Sequence, residues 1–378
     1  MRIIDSYGFA KAPTNIFNTN TPYVGQVVGS RMTVGYTDPY AYAPTGSTFG
    51  VRKGNDPDAL VVRARNLSNY SGGLYTATVE ALLENAEVGI QATKTMLSFG
   101  FRVTFNGSVG STSLVASAGL RLSDSLQPLS IVLGTDWAAP SVVGNSHYFE
   151  ITVDRDTGEV IVYRDNVYLK TMSVSSRLTA GASLVAFWIG VRTNQAGGYA
   201  EQYREDAFKD IILSEIAAND MVKKVGPVVL KNMPVKAVNA PTWTPNTAGK
   251  TIVESFNDTH LAFGTPDAAP TTVNVTDTDA NGLVTFDTTG ISDQDSVKAI
   301  MVQVDALGSS GTSNLRGDLL KSGASEQNLT ASFQQTFDLT RSNLLTTGFA
   351  RRMAFKSIAA TPAKTELDKY SVKLAATS

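Results

Sequence analysis

The chain has 378 residues, of which 42% are hydrophobic and 17% charged, with a formal net charge of -2. That length suits two or three domains, and the near-balanced charge leaves no basic footprint for duplex nucleic acid or anionic lipid, so neither is an expected partner. Cysteine is absent and only His147 and His260 supply imidazole, which excludes disulfides and thiolate chemistry and leaves little for a histidine base or metal-ligand set. On this ground the sequence is read as a non-enzyme with no metal and no cofactor.

Met1 to Asp5 carries no apolar core of a signal peptide, and no window approaches the roughly 18 uninterrupted apolar residues of a membrane span, so the expectation is a chain made and folded in the cytoplasm. After a polar opening with Pro13, Pro22, Pro39 and Pro44, apolar and polar residues alternate, the mark of strands. Thr78 to Ala92 alone has helical character, with Leu82, Leu83, Ala86 and Ile90 near one face, and a strand pair there is almost equally favoured. Ser98 to Phe105 sets Phe99, Phe101, Val103 and Phe105 on one face, as in a half-buried strand. Tyr148 to Tyr168 predicts a three-stranded meander turning at Asp156-Thr157-Gly158 and at Asp165-Asn166. Leu184 to Val191 is apolar on both faces and predicts a strand buried on both sides.

The periodicity lapses near Ala217 to Asp220 and restarts after Gly226-Pro227. The expected organisation is therefore a β-sandwich over 1–221, a linker near 221–226, and a second β-sandwich module over 222–378. In the second part, Thr251–Phe256, Thr271–Val275, Leu283–Phe286, Val297–Val304, Leu315–Lys321, Leu329–Phe337, Ala350–Phe355 and Tyr370–Leu374 are predicted as strands. The fold class is all-β, with tandem sandwiches or jelly rolls.

Candidate sites are few. Asp277 to Gly282 copies the first half of a calcium-binding loop, but its twelfth position is Thr288, not a glutamate, and an Asn-Gly hairpin turn explains it better. Asp154 and Asp156 offer oxygens to a cation, although a hairpin corner is favoured. Neither histidine has a serine or carboxylate at a recognisable catalytic spacing, and Arg351-Arg352 point to opposite faces of a strand. Tyr36, Tyr40, Tyr42, Tyr199 and Tyr203 lie in turn-rich segments and are the candidate interface residues, because tyrosine offers large contact area and a hydroxyl at low entropic cost. They equally suit lids that cap their own domain.

The runs His147 to Val153 and Asp156 to Asn166 resemble the meander of concanavalin-like (laminin-G-like) jelly-roll domains of bacteriophage virion proteins. That pattern is H-Y-x-E-h-x-V, a D-T-G turn, and V-x-V-x-x-D-G. Asn166 stands where the family usually has glycine, and both accept a left-handed turn. Met1 to Phe9, Phe49 to Arg52 and Ala207 to Leu213 resemble the opening and closing segments of such proteins. Trp243 to Asn246, Val297 to Val304 and Leu319 to Gly323 resemble a C-terminal β module often fused to them. The resemblance implies a structural component of a tailed phage virion, as capsid decoration, collar or tail, with other virion proteins and copies of itself as partners and no catalytic site. A carbohydrate-binding adhesin that takes a host surface glycan is the alternative. A glycan depolymerase ranks third, since it needs two carboxylates about 5 to 10 Å apart and the sequence does not show whether Glu80, Glu84, Asp154 or Glu201 converge.

Overall fold

The computed structural model describes residues 2–7, 27–28, 32–36, 49–53, 59–66, 76–83, 96–109, 114–124, 126, 128–133, 145–193, 202–216, 223–231, 233–257, 273–275, 279, 281–297, 300, 302–305, 313–333, 352–354 and 364–377. The chain divides into two compact units, Met1–Leu230 and Lys231–Ser378, and is mainly β throughout.

The first unit contains β1 (Arg2–Tyr7), β2 (Val27–Val28), β3 (Met32–Tyr36), β4 (Phe49–Lys53), β5 (Leu60–Asn66), β6 (Thr76–Leu82), β7 (Met96–Val109), β8 (Leu114–Leu122), β9 (Leu129–Val132), β10 (Ser146–Asp154), β11 (Glu159–Arg164), β12 (Val167–Ser173), β13 (Leu184–Thr193) and β14 (Gln202–Ile216). They form an eight-stranded antiparallel sheet in the order β12-β11-β10-β7-β14-β5-β4, with β1 also on β14, and a six-stranded one in the order β2-β3-β6-β13-β8-β9. The sheets face each other as a jelly-roll sandwich: Phe99 of β7 stacks on Phe187 of β13 at 5.0 Å between ring centroids. Phe101, Phe149, Ile151, Val160, Val162 and Ile189 are buried with them.

The meander matches the alternation. Asp154 Oδ1 accepts the Asp156 and Thr157 amides, closing the first turn, and Gly158 has φ +72°. Asp165 and Asn166 both have positive φ at the second turn, the conformation a tight hairpin needs. Thr76–Leu82 is a strand, so the helical reading of Thr78 to Ala92 is corrected over residues 78–82, while residues 84–92 lie outside the described residues. Its β-branched Thr76, Thr78 and Val79 fit a pleated surface, and full pairing with β13 decides the matter. Ser98 to Phe105 also departs from expectation, because Ser98 and Gly100 on the supposedly solvated face are buried. The Tyr148 side chain covers Gly100, where a Cβ would stand 2.0 Å from the Tyr148 hydroxyl.

The second unit contains β15 (Val235–Asn239), β16 (Thr244–Pro245), β17 (Val273–Asn274), β18 (Gly282–Phe286), β19 (Gln303–Asp305), β20 (Ser313–Lys321), β21 (Ala324–Phe333), β22 (Arg352–Ala354) and β23 (Tyr370–Thr377). Its main sheet runs β15-β18-β23-β20-β21, and Trp243, Leu319, Tyr370, Val372 and Leu374 fill its core. Thr251–Phe256 is corrected from strand to helix: Ile252–Asn257 is helical. Thr251 and Glu254 exchange bonds in a capping box, the Thr251 amide donating to the Glu254 carboxylate and the Glu254 amide to Thr251 Oγ1. That Thr-x-x-Glu signal outweighs a short β-branched run. Of the strand expected at Val297–Val304, Gln303 and Val304 lie in the strand Gln303–Asp305, Ile300 and Val302 are buried outside it, and residues 298, 299 and 301 lie outside the described residues.

Candidate functional site

Strand register gathers several chain ends at one end of the first sandwich. Tyr36 closes β3 opposite Ala77, Thr193 closes β13 opposite Leu114, and Tyr203 near the start of β14 pairs with Val109 and Arg65. The chain leaves this end at Tyr36 and returns at Phe49, and leaves again at Thr193 and returns at Gln202. The two tyrosine-bearing regions therefore begin and end at the same place. Tyr40, Tyr42 and Tyr199 lie outside the described residues, as do the side chains of Tyr36 and Tyr203.

Towards this end β10 begins, and with it comes a pairing that sequence spacing did not show. His147 Nδ1 lies 2.6 Å from Asp165 Oδ2, and Asp165 Oδ1 accepts the Tyr148 amide at 2.9 Å. An ionised carboxylate only accepts, so Nδ1 of His147 is the donor in this pair. Burial pushes the Asp165 carboxyl up, but the His147 and Tyr148 hydrogen bonds and the charges of His147 and Arg164 outweigh it and hold the group below its ordinary range. Eighteen positions separate the partners, and only the meander brings them together. The usable signal was the Asp-Asn turn itself, whose first residue must face the start of β10 once the three strands pair.

The outer face of the eight-stranded sheet holds a second constellation. Glu150, 1% exposed, accepts the Ser98 hydroxyl and the amides of Val225 at 2.6 Å and Gly226 at 2.8 Å. Asp210, with φ +53°, accepts the Leu230 amide at 3.0 Å and the Arg102 side chain at 3.0 Å. Thr152 donates to the Lys223 carbonyl. Lys223 Nζ meets Glu159 at 2.9 Å, and Lys224 Nζ donates to the Asn166 carbonyl at 2.6 Å while standing 4.9 Å from the Tyr163 ring centre. Residues 223–230 are thus a strap across β10, β11 and β14. Burial raises the Glu150 carboxyl above its ordinary range despite the bonds from Ser98, Val225 and Gly226 and the charge of Lys224.

The remaining candidates do not join these groups. Asp154 is engaged in its own turn, and Glu80 lies in β6 of the other sheet opposite Trp188. His260, Asp277, Glu84, Glu201 and Arg351 lie outside the described residues. Among the described residues no group of three or more His, Asp or Glu is placed to hold a metal ion, and no helix is long and apolar enough to cross a membrane.

No protein-family model and no curated protein sequence matches the chain. Solved structures do. Alginate lyase A1-II′ of polysaccharide lyase family 7 is similar at 12% identity and a TM-score of 0.31, over 44% of this chain and 83% of that one. The xyloglucanase domain of NopAA, an effector from Sinorhizobium fredii, is similar at 10% and 0.30, over 53% and 99%. A sialidase is similar at 9% and 0.29, over 46% of this chain and 17% of its own. The expectation that the chain is not an enzyme is withdrawn. The His147–Asp165 pair removes part of its ground, since that expectation took both histidines to lack a carboxylate partner.

Proposed function

We propose that the chain is a recognition component of a tailed-phage particle, with the loop end of its first sandwich as the contact surface. The observation that supports this is the convergence there of the chain ends bearing Tyr36 and Tyr203, in a domain whose meander resembles those of virion proteins. The partners on this reading are other virion chains and copies of the same chain, held by tyrosine-rich contacts that symmetry multiplies. A surface glycan is the second reading. It is favoured by the imidazole and carboxylate that fix each other in the His147–Asp165 pair, since sugar hydroxyls need oriented polar partners.

The test is to change Tyr40, Tyr42, Tyr199 and Tyr203 together to serine, and to measure both incorporation into particles and glycan-array binding by the free protein. Loss of incorporation in a folded variant supports the assembly reading. Wild-type array binding that the variant loses supports the glycan reading. Normal incorporation without any array signal removes the proposed surface.

A further inference from the structure

The strap poses a problem of its own. Glu150 and Asp210 are buried, and each takes main-chain amides from residues 223–230, while Glu159 takes the Lys223 ammonium. Taken together, the sheet face presents three acids to a segment that offers two lysines and three amide donors, and Gly226 adopts φ +84° to aim its amide. Removing the strap and putting nothing in its place would take the three amide donors away from Glu150 and Asp210 and leave Ser98 and Arg102 at them, which is unfavourable. Replacing it with an identical segment restores every contact. Exchange between copies is therefore close to neutral in contact energy, and it is governed by local concentration and by the chain between β14 and the strap. That chain is residues 217–222, six residues, able to reach about 20 Å when extended.

We propose that the β10–β14 outer face is a docking strip for an extended Lys-Lys-Val-Gly-Pro segment, and that the occupant in an assembly is residues 223–230 of a second copy of this chain. The strip sits on the sheet face, apart from the loop end. The inference deepens the assembly reading by naming a self-contact, but it is tested separately from the tyrosine surface.

Two full-length variants test it by complementation. Glu150→Ala keeps a normal strap and spoils the strip. The other variant keeps the strip and has residues 223–230 replaced by a Gly/Ser sequence of equal length. Expected is a 1:1 heterodimer on mixing, seen by light scattering, with neither variant dimerising alone and with a synthetic peptide of sequence Lys223 to Leu230 competing it away. Two folded variants that stay monomeric when mixed overturn the proposal. If either fails to fold, isotope-labelled and unlabelled wild-type chains are incubated at high concentration and cross-linked through Lys223 and Lys224: labelled-to-unlabelled strap cross-links to the β10–β11 face support exchange, and exclusively intrachain ones overturn it.

Discussion

Two serines on the same sheet face show how far a hydroxyl's value depends on its partner. Ser98 donates to the buried Glu150 carboxylate, whereas Ser214 Oγ is buried with no hydrogen-bond partner among the described residues. Ser98→Ala is expected to lose about 1.5 to 3 kcal/mol, the range for a bond to a charged group, and Ser214→Ala to be neutral or slightly stabilising. Urea midpoints of the two variants check this, and equal losses would show that the Glu150 cluster is not formed. Glu150 and Asp165 also carry opposite pH signatures. Glu150 has its folded value raised by burial, so its contribution is full below the ordinary carboxylate range and is lost as pH rises through the folded value. Asp165 has its folded value lowered, so its contribution is present above the ordinary range and disappears as pH falls through the lowered value. Relative to Glu150→Gln, wild-type stability should begin to decline as pH rises past about 4.3, the unfolded glutamate value, and level off above the raised folded value. A flat difference across that window would contradict a buried carboxylate under the strap.

At the scale of elements, the meander was legible because its turns are chemically explicit. Asp-Thr-Gly and Asp-Asn each supply residues that accept the turn's backbone, and β-branched alternation fills the strands between them. Gly158 is the tightest point: besides φ +72°, a Cβ there would lie 2.5 Å from the Ser175 backbone nitrogen. Gly158→Ala should cost about 1 to 3 kcal/mol, the range for a residue held in a forbidden backbone region, with hydrogen exchange quickening first in β11 and β12. Unchanged exchange there would mean the turn relaxes freely. The capping box at Thr251 and Glu254 was equally present in the sequence, but a stretch as short as Thr251–Phe256, with Ile252, Val253 and Phe256 apolar, fits both periods. Only the cap distinguishes them.

For the molecule as a whole, the periodicity pauses near residues 217–226, while the two compact units divide between Leu230 and Lys231. Whether the chain there hangs free or is bound depends on Glu150, which lies 75 and 76 residues before the amides of Val225 and Gly226, and on Asp210, which lies 20 residues before the amide of Leu230. Limited trypsin digestion of the free protein should spare Lys223 and Lys224 and release a fragment that retains the strap, close to the Met1–Leu230 unit; early cleavage after Lys224 would show the strap undocked. The sequence by itself determined the all-β class, the face of each core strand and the meander's turns, because these follow from periods of two and from local turn chemistry. Tertiary structure alone decided three things: that His147 meets Asp165, that the tyrosine-bearing regions share one end, and that the polar face of β7 and β10 is buried beneath residues 223–230. Alternation tells which side chains share a face, but what covers that face is supplied by chain distant in sequence, through contacts that leave no local pattern.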